Sequence, residues 1–191
     1  MPSHPFLQRR RALLAAPLAL ALAACGKQAD KPANDPVPVS IETISTQAAG
    51  FSVGPMMRAQ TIYVFFDSQC PHCAALWEEA KQLGPRARFV WIPVRLLGDK
   101  SLAQGAAILA APDPAAAMEE NESSMRAQHG GITAVGVPET HRQAVVRNTE
   151  IFNRYGFDGV PTIVAKSART GEVVVIGGGL PAAQLAERVG L

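Results

Sequence analysis

Cysteine is scarce in this chain: three among 191 residues, at positions 25, 70 and 73. So few cysteines exclude a disulfide framework, and a bridge between Cys70 and Cys73 would close almost no chain, since loop-closure stabilisation grows with loop length. An excess of one charge is also missing. The formal charge is +2, but Arg9, Arg10 and Arg11 sit in a leader-like segment, and without them 15 basic residues face 16 acidic ones. No basic stripe and no acidic tail remain, which argues against nucleic acid and against a strongly charged partner. A long apolar run is absent too. The run from Ala12 to Ala24 is 13 residues, against about 20 for a spanning helix. No internal repeat is visible.

What is present begins with the three parts of a secretory signal: the arginine cluster, the apolar run, and small residues ahead of Cys25. The sequence Leu22-Ala23-Ala24-Cys25-Gly26 resembles the bacterial lipobox, in which the cysteine is lipidated and becomes the mature N-terminus. The expectation is a lipoprotein-type signal peptide over 1–24, lipid on Cys25, and a tether over 25–39, polar and rich in proline. The arginines also faintly resemble a twin-arginine signal. Assigning Cys25 to the lipid leaves one Cys-x-x-Cys pair in a single folded domain, 40–191.

Along that domain, Val39–Ile44 alternates apolar and polar over its first four positions and predicts an edge strand, and 45–60 reads as a loop. Thr61-Ile62-Tyr63-Val64-Phe65-Phe66 is a β-branched and aromatic run, as in a strand buried on both faces. The cysteine pair then opens a helix, with Cys73, Leu76, Trp77, Ala80 and Leu83 spaced at threes and fours, stopped by Gly84-Pro85. Arg88–Val94 is a second strand, and a strand, helix and strand in succession suggest a parallel crossover. Two helices are expected over 100–121, divided by Pro112 and Pro114, then a poorly specified connection over 123–136. A long helix is expected with Pro138 in its first turn and its end near Tyr155-Gly156, then strands over 160–165 and 172–176 joined by a hairpin-like turn, and a helix over 181–189.

The pair carries the chemistry. The first turn of a helix exposes unpaired N–H groups and about half a positive charge. Cys70 at that point is expected to favour its thiolate, while Cys73, one turn in, is shielded. Pro71 suits the first turn, where its missing N–H is not needed. His72 adds a donor and, when protonated, a positive charge. A stabilised thiolate favours the dithiol form, so the disulfide is a stronger oxidant. Such pairs span about −270 to −120 mV, and the oxidising half is predicted here. Val160-Pro161-Thr162 starts a late strand, and alone Pro161 reads as a strand-start proline. The element order resembles that of thioredoxin, and that resemblance implies a cis Val160–Pro161 bond lying against the pair, leaving the Val160 backbone for an extended substrate.

The element order is that of an α/β, thioredoxin-like fold with an all-helical insertion at about 100–136. From Thr61 to Leu191 the chain resembles the catalytic domain of the periplasmic DsbC/DsbG proteins. The stretches that carry the resemblance are Tyr63-Val64-Phe65-Phe66-Asp67-Ser68-Gln69-Cys70-Pro71-His72-Cys73, Ala106-Ala107-Ile108-Leu109-Ala110 followed by Asp113-Pro114, and Gly159-Val160-Pro161-Thr162. The resemblance implies a thiol–disulfide oxidoreductase acting on periplasmic proteins, with Cys70 attacking, Cys73 resolving and His72 assisting. Pro71, Val160, Pro161 and Thr162 would then tune the pair and form the substrate groove. It implies no cofactor beyond the Cys70–Cys73 disulfide, no metal, and a membrane redox partner, DsbD-like or DsbB-like. With the lipid on Cys25, the expected location is the periplasmic face of a membrane, the outer rather than the inner.

Three departures qualify this. Only about 35 residues lie between Cys25 and the first firm strand, too few for the family's N-terminal dimerisation domain, so a monomer is expected. His72 is DsbA-like rather than the tyrosine usual in DsbC and DsbG, and Val160 is DsbA-like rather than threonine. A DsbA-like oxidase is therefore the alternative. A binding or chaperone lipoprotein with a silent cysteine pair is the alternative of another class. A zinc site from Cys70, Cys73, His129 and His141 fits poorly, because the two histidines lack compact ligand spacing. A c-type haem would need His at position 74, which is Ala74. His129 and His141 read as surface residues, Trp77 and Trp91 as core, Asp67 as a turn or cap residue rather than a proton carrier, and Gly177–Gly179 as a plain turn.

Overall fold

The centre of the molecule is set by the run at 61–66. In the computed structural model, which describes residues 37–57 and 60–191, this run is strand β2 (Thr61–Phe66), with five of its six residues buried. Its side chains alternate between two cores. Ile62, Val64 and Phe66 enter one cluster, and Tyr63 and Phe65 enter another on the opposite face. Alternation with period two is what a strand imposes, and a run apolar on both faces needs cover on both.

That cover comes from the remaining elements. In chain order these are α1 (Ile41–Gln47), β1 (Phe51–Val53), β2, α2 (Pro71–Leu83), β3 (Arg88–Pro93), α3 (Asp99–Ala110), α4 (Pro114–Arg126), α5 (Glu139–Arg154), β4 (Thr162–Lys166), β5 (Val173–Gly177) and α6 (Ala182–Val189). The strands form one sheet in the order β1-β3-β2-β4-β5. β2 and β3 are parallel, as expected of strands joined through a helix, with Val64 opposite Trp91. β4 is antiparallel to β2 and to β5, the latter pair being the expected hairpin. Cys73, Leu76, Trp77, Ala80 and Leu83 of α2 are buried in the first cluster with Leu185 and Val189 of α6. Ile151 and Phe152 of α5 cover the second, where Phe65 meets Phe152 edge-on at 5.9 Å. Trp91 is fully buried and Trp77 meets it at 5.0 Å, so both tryptophans are core residues.

Two expectations at the start of the domain are corrected. Val39–Ile44 does not form a strand: residues 41–47 are helix α1, capped by Ser40, whose Oγ accepts from the Thr43 N–H at 3.1 Å. Four alternating positions are too short a pattern to outweigh a capping serine. The edge strand is instead β1, inside the segment read as a loop, paired antiparallel with β3 through Phe51 and Trp91. Gly50 permits that approach, since a Cβ there would lie 2.6 Å from the Trp91 carbonyl oxygen.

The helical insertion is present as α3 and α4, divided at the two prolines, with Asp113 capping α4 through the Ala116 N–H at 3.0 Å. α4 continues through Arg126, into the segment expected to be a connection, and Pro138 is the cap of α5 rather than a residue of its first turn. No helix among the described residues is long and apolar enough to cross a membrane. The expected signal peptide, Cys25 and the tether up to residue 36 lie outside the described residues.

Candidate active site

Cys70 is the N-cap of α2 and Pro71 its first residue, so the pair straddles the helix start. Both cysteines are free thiols; Cys70 is 6% exposed and Cys73 is fully buried. Pro71 and His72 stand between them with exposed side chains.

The turn that presents Cys70 is fixed by a buried carboxylate. Asp67 accepts the Gln69 N–H on Oδ1 at 2.9 Å, and on Oδ2 the N–H groups of Leu96 and Leu97 at 2.7 and 3.0 Å. Its own carbonyl takes the Cys70 N–H at 3.0 Å. With three backbone donors on its side chain, Asp67 serves as the turn residue expected, and it also ties down the loop after β3. The insertion supplies the rest. Asn121 of α4 donates to the Ser68 carbonyl at 3.0 Å. The Gln69 side chain donates to Gln104 Oε1 and to the Gly130 carbonyl. Gln104 in turn donates to the carbonyls of Gly130 and Ile132 at 2.9 and 2.8 Å.

The two sulfurs differ sharply in acidity. Cys70 is lowered to about 6, first by a hydrogen bond from the Cys73 thiol. Burial opposes this, and the N–H groups of Cys73 and His72 and the charge of His72 add to it. Cys73 is pushed well above the ordinary thiol value, first by burial, then by its hydrogen bond to Cys70 and the charge there. One sulfur is thus an available thiolate near neutral pH and the other a reserve thiol.

Facing the pair is the segment before β4. The Val160–Pro161 bond is cis, and the Cys70 thiol donates to the Val160 carbonyl at 3.5 Å. Thr162 is buried, its Oγ1 donating to the Gly159 carbonyl at 2.5 Å. Beside this segment lies a cleft of about 550 Å³, lined among others by Val39, Tyr155, Phe157, Val160, Thr162 and Gly178. The structure therefore brings together Cys70, Cys73, His72, Pro71, Val160, Pro161 and Thr162 in one place.

Some site residues were not visible in the sequence. The chain at Gly177–Gly179 also reaches the site: Gly178 N–H donates to the Pro161 carbonyl at 2.8 Å, and a Cβ on Gly179 would sit 3.4 Å from the His72 carbonyl. No local pattern signals a contact so distant in sequence. Glu122 of α4 is fully buried and pushed up to about 8, chiefly by burial. The charges of Cys70 and Asp67 raise it further, against the Asn121 hydrogen bond and Arg126. A signal for Glu122 did exist, since it follows buried Met118 by four residues, where the helix period calls for an apolar residue. Among the described residues, no group of three or more His, Cys, Asp or Glu side chains is arranged to hold a metal ion, so His129 and His141 are not assembled with the cysteines.

Comparison with known proteins agrees with this geometry. The chain is 28% identical over 119 residues to the thiol:disulfide interchange protein DsbG of Pseudomonas aeruginosa, which covers 61% of this chain and 46% of that protein. The chain thus spans somewhat under half the length of that relative. Among solved structures, it superimposes on the catalytic domain of Proteus mirabilis ScsC with a TM-score of 0.61 at 18% identity, over 78% of this chain and 91% of that one. A periplasmic thioredoxin-like protein from Salmonella enterica serovar Typhimurium gives a TM-score of 0.63 at 18% identity, over 80% and 97%. At such identity these structures establish the shared fold alone. The model of the thioredoxin-like domain matches residues 57–190, and this chain belongs to the thioredoxin-like domain family.

Proposed function

We propose that this protein is a thiol–disulfide oxidoreductase of exported proteins, with Cys70 as the attacking and Cys73 as the resolving residue. The Cys70 thiolate attacks one sulfur of a client disulfide, forming a mixed disulfide and expelling the other client sulfur as a thiolate. Cys73 then attacks Cys70, freeing the second client thiol and leaving the Cys70–Cys73 disulfide. The pair itself gives up the two electrons that reduce the client disulfide, so no external cofactor enters this step. Run backwards, the same steps oxidise a client dithiol. The observation that carries this reading is the contrast between a sulfur at the helix start, lowered to about 6, and a fully buried one raised well above the usual value.

His72 contributes its backbone N–H and its charge to the Cys70 thiolate. Val160, beside the Cys70 sulfur, is the backbone against which an extended client segment pairs, with Pro71, Pro161 and Thr162 shaping the groove. Reduction or isomerisation in the manner of DsbG is one direction. Oxidation in the manner of DsbA is favoured by a separate feature, the lowered Cys70, because whatever stabilises the dithiol makes the disulfide more oxidising. The leader over 1–24 would direct export and be removed, and a lipid on Cys25 with a tether to residue 39 would hold the domain, 40–191, at a periplasmic membrane face as a monomer. A DsbD-like or DsbB-like membrane protein would reset it.

Trapping tests this. With Cys73 replaced by serine, the full chain is expected to accumulate client proteins linked through Cys70, releasable by dithiothreitol, and Cys70→Ser to trap none and lose disulfide exchange. If Cys73→Ser traps nothing while Cys70→Ser keeps its action on clients, the binding or chaperone reading takes over.

A further inference from the structure

The exchange cycle needs a proton acceptor that the cysteine pair does not supply. Cys73 is fully buried, yet it must lose its proton before attacking the mixed disulfide. One ionisable side chain from the helical insertion enters the same environment. Helix α4 lies against α2: Met118 packs in the cluster that holds both cysteines, Glu119 accepts from Trp77 Nε1 at 2.6 Å, and Asn121 is fastened to the Ser68 carbonyl. These contacts hold Glu122 toward the helix start. It is fully buried. Its Oε1 accepts from Asn121 at 3.3 Å, and its Oε2 is buried with no hydrogen-bond partner among the described residues.

The ionisable groups that act on it are Cys70 and Asp67 from the active-site turn and Arg126 from α4, and its own charge acts on Cys73. Arg126 does not neutralise it, being engaged with Glu78 at 2.6 Å and Glu119 at 3.8 Å. A buried carboxyl without a cation costs stability, and nothing in the packing requires one here. Its free, buried oxygen, on a helix packed against the one that carries both cysteines, suits a task.

We propose that Glu122 is the proton-transfer residue for Cys73, an inference that rests on the redox reading above. In the mixed disulfide, the Glu122 carboxylate takes the Cys73 thiol proton, directly or across one water. The Cys73 thiolate forms its bond to Cys70 Sγ as the Cys70–client bond breaks. The electron pair leaves with the client sulfur as a thiolate, which is protonated by the Glu122 carboxylic acid or by solvent. No net proton or electron is unaccounted for. The charge on Cys70 times the transfer: its thiolate opposes ionisation of Glu122, and forming the mixed disulfide removes that charge. The base becomes available at the step that needs it.

The test uses the full chain with Cys25→Ser, reduced and mixed with oxidised glutathione as the probe disulfide. A probe-dependent phase forms the Cys70–glutathione adduct, and a probe-independent phase reports closure by Cys73. In Glu122→Gln, closure is expected to slow about 100-fold at pH 7, a typical size for a lost general base, and to lose the inflection that the parent shows below about pH 8. Glu122→Asp should keep the inflection at reduced rate, which a purely structural role would not give. Equal closure rates and pH profiles in the parent and Glu122→Gln overturn the proposal while leaving the redox reading intact. Absence of the first phase in the parent overturns both. Carboxyl-carbon NMR of the parent needs no variant. Glu122 should titrate higher in the dithiol than in the disulfide form, and an ordinary carboxyl value in both contradicts the assignment.

Discussion

Cys73 stands one turn beyond Cys70 in α2, its N–H donating to the Cys70 carbonyl at 3.0 Å, and its thiol does more than any other group to lower Cys70 to about 6. The helix start and His72 assist, but burial works against them. The acidity of the attacking sulfur is therefore a property of the pair. Cys73→Ala is expected to raise the Cys70 pKa by about one unit or more, or at least 1.4 kcal/mol, measured as the midpoint of its iodoacetamide alkylation rate against pH.

The same shift makes the dithiol form pH-dependent in stability. The folded pKa of Cys70 lies below the ordinary value of 9.0. Its stabilisation is therefore fully present above about pH 9 and is lost as pH falls through about 6. The disulfide form has no such group. On this basis the dithiol is expected to lose about 2–3 kcal/mol relative to the disulfide between pH 8 and pH 5. Urea unfolding of both forms at the two pH values measures the difference.

Glu122 acts in the opposite sense. Its folded pKa is raised from 4.5 to about 8, so the stability associated with its proton is complete below about pH 4.5 and lost as pH rises through 8. Glu122→Gln carries no titrating group and is expected to unfold at higher urea than the parent at pH 8, by of order 3 kcal/mol, with little difference at pH 4. A residue that lowers stability in order to carry a proton should behave in this way.

Asp67 holds two segments together. Asp67→Ala leaves the N–H groups of Gln69, Leu96 and Leu97 without their acceptor, and a buried donor left unpaired costs about 1–3 kcal/mol. The variant is expected to lose about 2–4 kcal/mol in urea unfolding and to expose the loop after β3 to faster amide exchange.

How much of this was legible in the sequence varies with the range of the forces involved. The central strand, the helix opened by Pro71 and the hairpin β4–β5 follow from local periodicity and from residues that admit few conformations. The cysteine pair was legible because its motif and its helix start are contiguous. α1 was misread because four alternating residues fit a strand about as well as one turn of helix, and the Ser40 cap decides between them. β1 was missed because it is three residues long and exists only through pairing with β3. Gly50→Ala, which places a Cβ against the Trp91 carbonyl, should accordingly cost about 1–3 kcal/mol. Gly178, Gly179 and Gln104 act through contacts distant in sequence, and no pattern along the chain announces them.

The most direct measurement is a thiolate titration of the reduced full chain carrying Cys25→Ser, following absorbance near 240 nm against pH, with Cys70→Ser as the reference. One thiolate appearing near pH 6 and absent from Cys70→Ser, with the second still protonated above pH 9, is the result predicted. Two thiols ionising together between about pH 8 and 9, as free cysteines do, would contradict it.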